Sequence, residues 1–227
     1  IISLLCVFFI SSNIIITAQN LNESNLILHY SFDGNAKDLS SKKNDLNIDS
    51  KVKKNMYFWV KGKDGVQNSA LEFTPNSEPL TPRINISPSK LPEFTFTAWV
   101  YGRPKGFLFG TVMPAGGNKN LTHRYLLFVN GNVQTGYMSH VDVAEIDLGR
   151  RIKSLELPEN QWNFIAVTSN AKDSTLKLYV NDEYYLPDEI KKPAKVFHTN
   201  KGESFLIGGA KNIFSDAKFV GIVDDIQ

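Results

Sequence analysis

Wherever this chain shows a hydrophobic period, that period is two. Leu26, Leu28, Tyr30 and Phe32 alternate with Ile27, His29 and Ser31, and Phe94, Phe96, Ala98 and Val100 alternate with Thr95, Thr97, Trp99 and Tyr101. Leu176, Leu178 and Val180 alternate in the same way with Lys177 and Tyr179. Successive side chains of a strand point to opposite faces, so the pattern specifies strands packed on one side, and helical spacing is nearly absent. Shorter apolar runs at 69–73, 107–112, 144–148, 162–169, 204–207 and 219–223 bring the expectation to about ten or eleven strands. With 15 Phe, 8 Tyr and 3 Trp in 227 residues, there is enough aromatic volume for one large β core. The expected fold is therefore all-β, an antiparallel sandwich in a single domain. The proline-bearing segment 76–92 reads as an ordered loop, and 187–193 as one helical turn.

Residues 1–18 carry no charge, and the run is broken by Ser11-Ser12-Asn13. It reads as a secretory signal with cleavage near Ala18, followed by a short linker at 19–25 and the domain proper at 26–227. The rival is a membrane anchor, which needs roughly 20 unbroken apolar residues. The single cysteine, Cys6, lies in this run behind Leu5, not behind the small residue that lipid attachment requires. The mature domain then has no disulfide, no thiolate metal site and no thiol nucleophile. A net charge of +2 gives no global reason to expect nucleic acid or a membrane surface as partner. Lys51, Lys53 and Lys54, with Lys61 and Lys63, flank Trp59, and an anionic polysaccharide is a better use for these charges than single-stranded nucleic acid. The simpler reading is a short strand with solvated lysines beside it. Glycosylation sequons stand at Asn22, Asn85 and Asn120.

The clearest hairpin is centred on Asn130-Gly131, a pair that favours a two-residue turn with positive φ at both positions. Such a turn places Val129 opposite Asn132 and Arg124 opposite Tyr137.

Taken in order, the strand words resemble the laminin G-like, concanavalin A-like jelly-roll family. The resemblance is carried by 28–38 (LHYSFDGNAKD), 69–73 (SALEF), 94–100 (FTFTAWV), 161–167 (QWNFIAV), 176–181 (LKLYVN), and the closing 205–209 and 221–225. The family pattern continues into a further strand after Gln227, so the chain is expected to be a fragment of a longer secreted or cell-surface protein. The resemblance implies one calcium ion where the first turn meets the last strand, held by Asp33, Asn35, Asp38 and Asp224, with Asp225 as the alternative inward residue. Oxygen ligands suit such a hard cation. The competing role for these side chains is that of turn formers bonding their own backbone.

The resemblance also implies glycan binding. Arg124, Tyr137 and His140 are the expected contacts, an aromatic face for a sugar ring and two donors for its hydroxyls. Their competing role is cross-strand support of the sheet. Hydrolases of this fold class place a second Glu just beyond a Glu-x-Asp motif. Here Glu145-Ile146-Asp147-Leu148 is followed by Gly149 and Arg150, so the two carboxyls of retaining hydrolysis are not in place. The expectation is a non-catalytic binding module, with a protein-adhesion or spacer domain as the alternative and a diverged glycoside hydrolase third.

Overall fold

The computed structural model describes residues 25–46, 48, 55–82, 93–112, 123–130, 132–138, 155–170, 175–185, 204–209 and 218–227. Twelve strands run through them: β1 (Tyr57–Val60), β2 (Ala70–Phe73), β3 (Glu93–Tyr101), β4 (Lys105–Val112), β5 (His123–Asn130), β6 (Asn132–Met138), β7 (Leu155–Glu156), β8 (Trp162–Asn170), β9 (Thr175–Val180), β10 (Glu183–Tyr185), β11 (Ser204–Ile207) and β12 (Gly221–Asp224). They form a seven-stranded sheet, β1-β2-β12-β3-β8-β9-β10, and a five-stranded sheet, β11-β4-β5-β6-β7, with every strand pair antiparallel. The expected sandwich is therefore the fold. Among the described residues no helix is long and apolar enough to cross a membrane.

Alternation decides which residues meet between the sheets. Phe96, Ala98 and Val100 of β3, Ile165 and Val167 of β8, and Leu178 and Val180 of β9 are all buried, and the residues between them on β3 are not. Across the gap, Leu108 and Phe109 of β4 and Ile207 of β11 complete the core. The Phe96 and Phe109 rings stack at 4.0 Å between centroids, which joins the two layers directly. At one end Phe73 meets both Tyr57 and Phe219 edge to face, at 5.2 and 5.4 Å. Trp59 faces inward with them, its ring 6.5 Å from that of Phe32. The lysine-flanked tryptophan is thus a packing residue.

Two expectations are corrected. Leu28, Tyr30 and Phe32 are buried as their alternation requires, but only Tyr30 pairs, exchanging both backbone bonds with Ile226. The backbone of His29 is spent on a loop, because its N–H donates to Asp38 Oδ1 and its carbonyl accepts from Leu39. At the hairpin, Val129 lies opposite Val133 instead of Asn132, so the turn holds one residue more than expected. The extra residue is compensated within β5. Arg124 and Tyr125 together oppose Tyr137 in a bulge between the pairs His123↔Met138 and Leu126↔Gly136. Arg124 also lies opposite Thr111 of β4.

Candidate functional site

On the face of the seven-stranded sheet turned away from the core, strand alternation exposes aromatic rings where a sandwich ordinarily shows polar side chains. Trp99 and Tyr101 of β3 stand opposite Phe164 and Trp162 of β8 in register. Trp99 and Phe164 are tilted at 5.4 Å, and Tyr101 and Trp162 meet edge to face at 5.5 Å. Tyr101 remains 39% exposed. The two pairs sit one outward step apart, about 7 Å along the strands, and each pair spans the roughly 5 Å between neighbouring strands. The end of this strip is braced from beneath. Asn163, fully buried, donates to Pro158 O at 3.0 Å and accepts from Asn181 Nδ2 at 3.2 Å, and the Phe164 N–H donates to Asn181 Oδ1 at 2.9 Å.

The other end is polar, and a bulge makes it so. Asp224 pairs with Trp99, while Gln227 and Thr97 exchange both backbone bonds, so Asp225 and Ile226 together oppose the single residue Ala98. Asp225 takes φ 48° to accommodate the extra residue. Ile226 points into the core, and Asp225 meets His29 Nε2 at 2.8 Å and Gln227 Nε2 at 3.2 Å. The His29 hydrogen bond, with Gln227 helping, holds the Asp225 carboxyl below its ordinary range. Lys63 extends over this end, its Nζ 6.0 Å from the Trp99 centroid and 3.0 Å from Asp64 Oδ2.

Asp224 differs from its neighbour. The 62–69 loop covers its carboxyl, with the Lys63 N–H donating to Oδ2 at 3.0 Å, and burial pushes the acid up to about 6. Neighbouring carboxyls with divergent acidity are a pattern of acid/base catalysis. Here the raised one is only 5% exposed and lies beneath a loop, out of a substrate's reach. Its consequence is for stability. Between about pH 4 and pH 6 the folded protein holds a proton that the unfolded chain has lost, so stability falls as pH rises through that window. Lys63 offsets part of the effect, and Asp225 contributes in the opposite sense only below the ordinary carboxylate range. Asp224→Asn keeps an oxygen acceptor for the Lys63 N–H. It is expected to stabilise the protein by about 1–3 kcal/mol at pH 7 and by nothing measurable at pH 4. Urea melts at the two pH values check this, and equal effects at both would refute it.

The four residues expected to hold calcium do not fit one ion. Asp33 and Asn35 are exposed, and Asn35 bonds locally, Nδ2 to Asp33 O at 2.8 Å and Oδ1 from Lys37 N–H at 3.0 Å. Asp38, 1% exposed, already accepts four hydrogen bonds, from His29 N–H and Ser40 N–H at Oδ1 and from Ser40 Oγ and Asn44 N–H at Oδ2. Asp224 is engaged by Lys63. Among the described residues no three His, Cys, Asp or Glu side chains are grouped to hold a metal ion. The Asn35 and Asp38 side chains shape the 33–45 turn instead. Tyr30, buried, donates to Asn44 O at 2.6 Å in the same loop, and burial, then Asp38 and Asp45, push its phenol up.

Of the expected glycan contacts, Arg124 and Tyr137 lie on β5 and β6 of the other sheet, and His140 lies outside the described residues. Glu145 and Asp147, the 1–18 segment, the 187–193 turn and the three sequons also lie outside them. The outer strip was missed because Trp99, Tyr101, Trp162 and Phe164 passed as strand-forming residues. Their signal was nevertheless present, since Trp99 and Tyr101 occupy the phase of β3 opposite to Phe96, Ala98 and Val100.

Comparison with known proteins agrees with the architecture. A Trypanosoma rangeli sialidase in complex with a difluoro-KDN compound superposes with a TM-score of 0.53 at 13% identity, covering 89% of this chain and 30% of the sialidase. The same sialidase in complex with sialic acid gives 0.50 at 13% identity, covering 88% and 30%. This chain thus spans under a third of the length of those enzymes. The CBM40 of a Ruminococcus gnavus IT-sialidase, bound to alpha2,3 sialyllactose, gives 0.45 at 16% identity over 70% of this chain and 88% of that one. The two sialidase likenesses concern the fold alone. A family model described as concanavalin A-like lectin/glucanases superfamily matches residues 80–227, more than half of the chain and all of the strands from β3 onward, and the chain belongs to that superfamily.

Proposed function

We propose that this protein is a non-catalytic carbohydrate-binding module of a larger secreted or cell-surface protein. The observation that carries the reading is the outer strip, where the partly buried rings of Trp99, Phe164 and Trp162 and the exposed ring of Tyr101 adjoin the hydrogen-bonding set His29, Asp225, Gln227 and Lys63. A sugar presents the matching combination, a C–H face that packs on an aromatic ring and hydroxyls at its rim that exchange hydrogen bonds. The superfamily includes lectins, and the uncharged 1–18 segment supports an extracellular setting. A protein-adhesion domain is the alternative, since aromatic rings also anchor protein interfaces.

The test is a glycan array probed with the chain and with Trp99→Ala. Retention is expected on at least one glycan class, weakened about tenfold or more by the substitution while the melting transition is preserved. A folded protein that retains no glycan would overturn the carbohydrate reading and favour adhesion. Binding that is indifferent to Trp99 would move the site elsewhere, with the β5–β6 residues Arg124 and Tyr137 next to be replaced.

A further inference from the structure

We infer that the ligand of the outer strip is the interior of a neutral, linear polysaccharide chain lying along β3 and β8, not a charged terminal sugar. The inference rests on the carbohydrate reading and narrows it through two features of the strip. The first is repetition. Trp99/Phe164 and Tyr101/Trp162 are like pairs, aromatic against aromatic, at successive outward positions of the same two strands. A sheet face that offers the same chemistry twice along the strand direction fits a ligand that repeats along its own axis. A terminal sugar would occupy one pair and leave the other bare.

The second feature is charge. Recognition of a carboxylate or sulfate ordinarily uses a cation free to form charge-assisted hydrogen bonds with it. At one end of the strip Lys63 is held by Asp64 at 3.0 Å and His29 by Asp225 at 2.8 Å. At the other, Arg103 is held by Glu159 at 3.0 Å, with its Nε on Leu157 O. Lys177 stands on the same face opposite Thr168, two outward steps from Phe164, about 13 Å along the strand. Among the described residues the basic side chains that adjoin the rings are therefore already paired, and the surface they leave to a ligand is aromatic and polar. Gln227 and Thr97, on neighbouring outward positions, are the uncharged hydrogen-bonding groups nearest the His29 end.

The experiment measures binding of the chain to a β-1,4-glucan oligosaccharide series of two to six sugars. A soluble mixed-linkage β-glucan, polygalacturonate and sialyllactose serve as long neutral, long anionic and short anionic probes, each at low and high salt. The expected result is retention on the neutral polymer that changes little with salt, because the described basic side chains beside the rings are already paired. Affinity should rise with chain length from two sugars to at least four, and Trp99→Ala and Trp162→Ala should each weaken binding of the neutral polymer tenfold or more. Thermal melts establish that the variants fold. If either unfolds, Tyr101→Ala, at a half-exposed ring, carries the same test. Salt-sensitive binding confined to polygalacturonate or sialyllactose would overturn the inference while leaving carbohydrate binding in place. So would full affinity already reached with two sugars. No retention on any of these probes overturns the inference, and the glycan array decides separately whether the carbohydrate reading falls with it.

Discussion

Asp38→Ala is expected to destabilise the fold by about 3–5 kcal/mol, a large share of the 5–15 kcal/mol by which domains are ordinarily stable. The carboxylate is buried and accepts from three backbone N–H groups, those of His29, Ser40 and Asn44, and from the Ser40 hydroxyl. Alanine leaves all four donors without that acceptor in a place where water enters poorly. A buried donor left unpaired costs about 1–3 kcal/mol, and partial relaxation keeps the total below the simple sum. The damage also reaches the outer strip, because the His29 N–H is one of those donors and its ring holds Asp225.

Asp38→Asn separates this role from that of a metal ligand. Its amide retains one acceptor oxygen, so roughly half of the loss should return, and the loss from either variant should be equal in calcium and in chelator. Melts of wild type and both variants in the two buffers provide the check. An Asp38→Ala deficit that appears only with calcium present would restore the ion that the hydrogen-bond pattern leaves no room for.

The same residue shows how far sequence carries. Asp38 stood out as an acidic residue in a turn, and both of its possible roles were visible, ion ligand or backbone acceptor. Choosing between them requires knowing that Ser40 and Asn44 fold back on it, which depends on the path of the loop and not on any local period. Alternation, by contrast, is a property of neighbours in sequence. It therefore identified β3 and β9 and which of their faces is buried. It could not foresee that the β5–β6 turn takes one residue more, because a bulge in β5 absorbs the difference at no cost to the pattern. Short strands such as β7, two residues long, carry too few positions to show a period at all. The aromatic strip was legible in phase but not in meaning. Two rings on the outward phase of one strand become a site only when the register places two more beside them on β8.

Gly106→Ala is expected to be as damaging, for a reason that no side-chain contact reveals. Gly106 follows Lys105, whose backbone exchanges both hydrogen bonds with Val220 just before β12 and so ties the five-stranded sheet to the seven-stranded one. A Cβ at Gly106 would stand 1.9 Å from the Lys218 carbonyl oxygen and 2.5 Å from its carbon, and the residue has φ +93°. Backbone cannot swing aside as a side-chain tip can, so the junction must open or the sheets must part. The cost should be at least about 3 kcal/mol, the range of severe overpacking with backbone strain added.

Gly34→Ala is the matched control. It too has positive φ, +67°, but its nearest neighbour would be Asn68 O at 3.8 Å, an ordinary contact. That variant bears only the left-handed backbone penalty, about 1–2 kcal/mol. The difference between the two in chemical denaturation isolates the clash from the φ strain they share. If Gly106→Ala falls within about 0.5 kcal/mol of Gly34→Ala, the close approach of β4 to 218–219 is not what closes this end of the sandwich. A gap of 2 kcal/mol or more would fix Gly106 as the position where the two sheets are brought into backbone contact. Because Lys105↔Val220 lies immediately before the strand that ends at Asp224 and leads into Asp225, opening that junction should loosen the polar end of the aromatic strip as well.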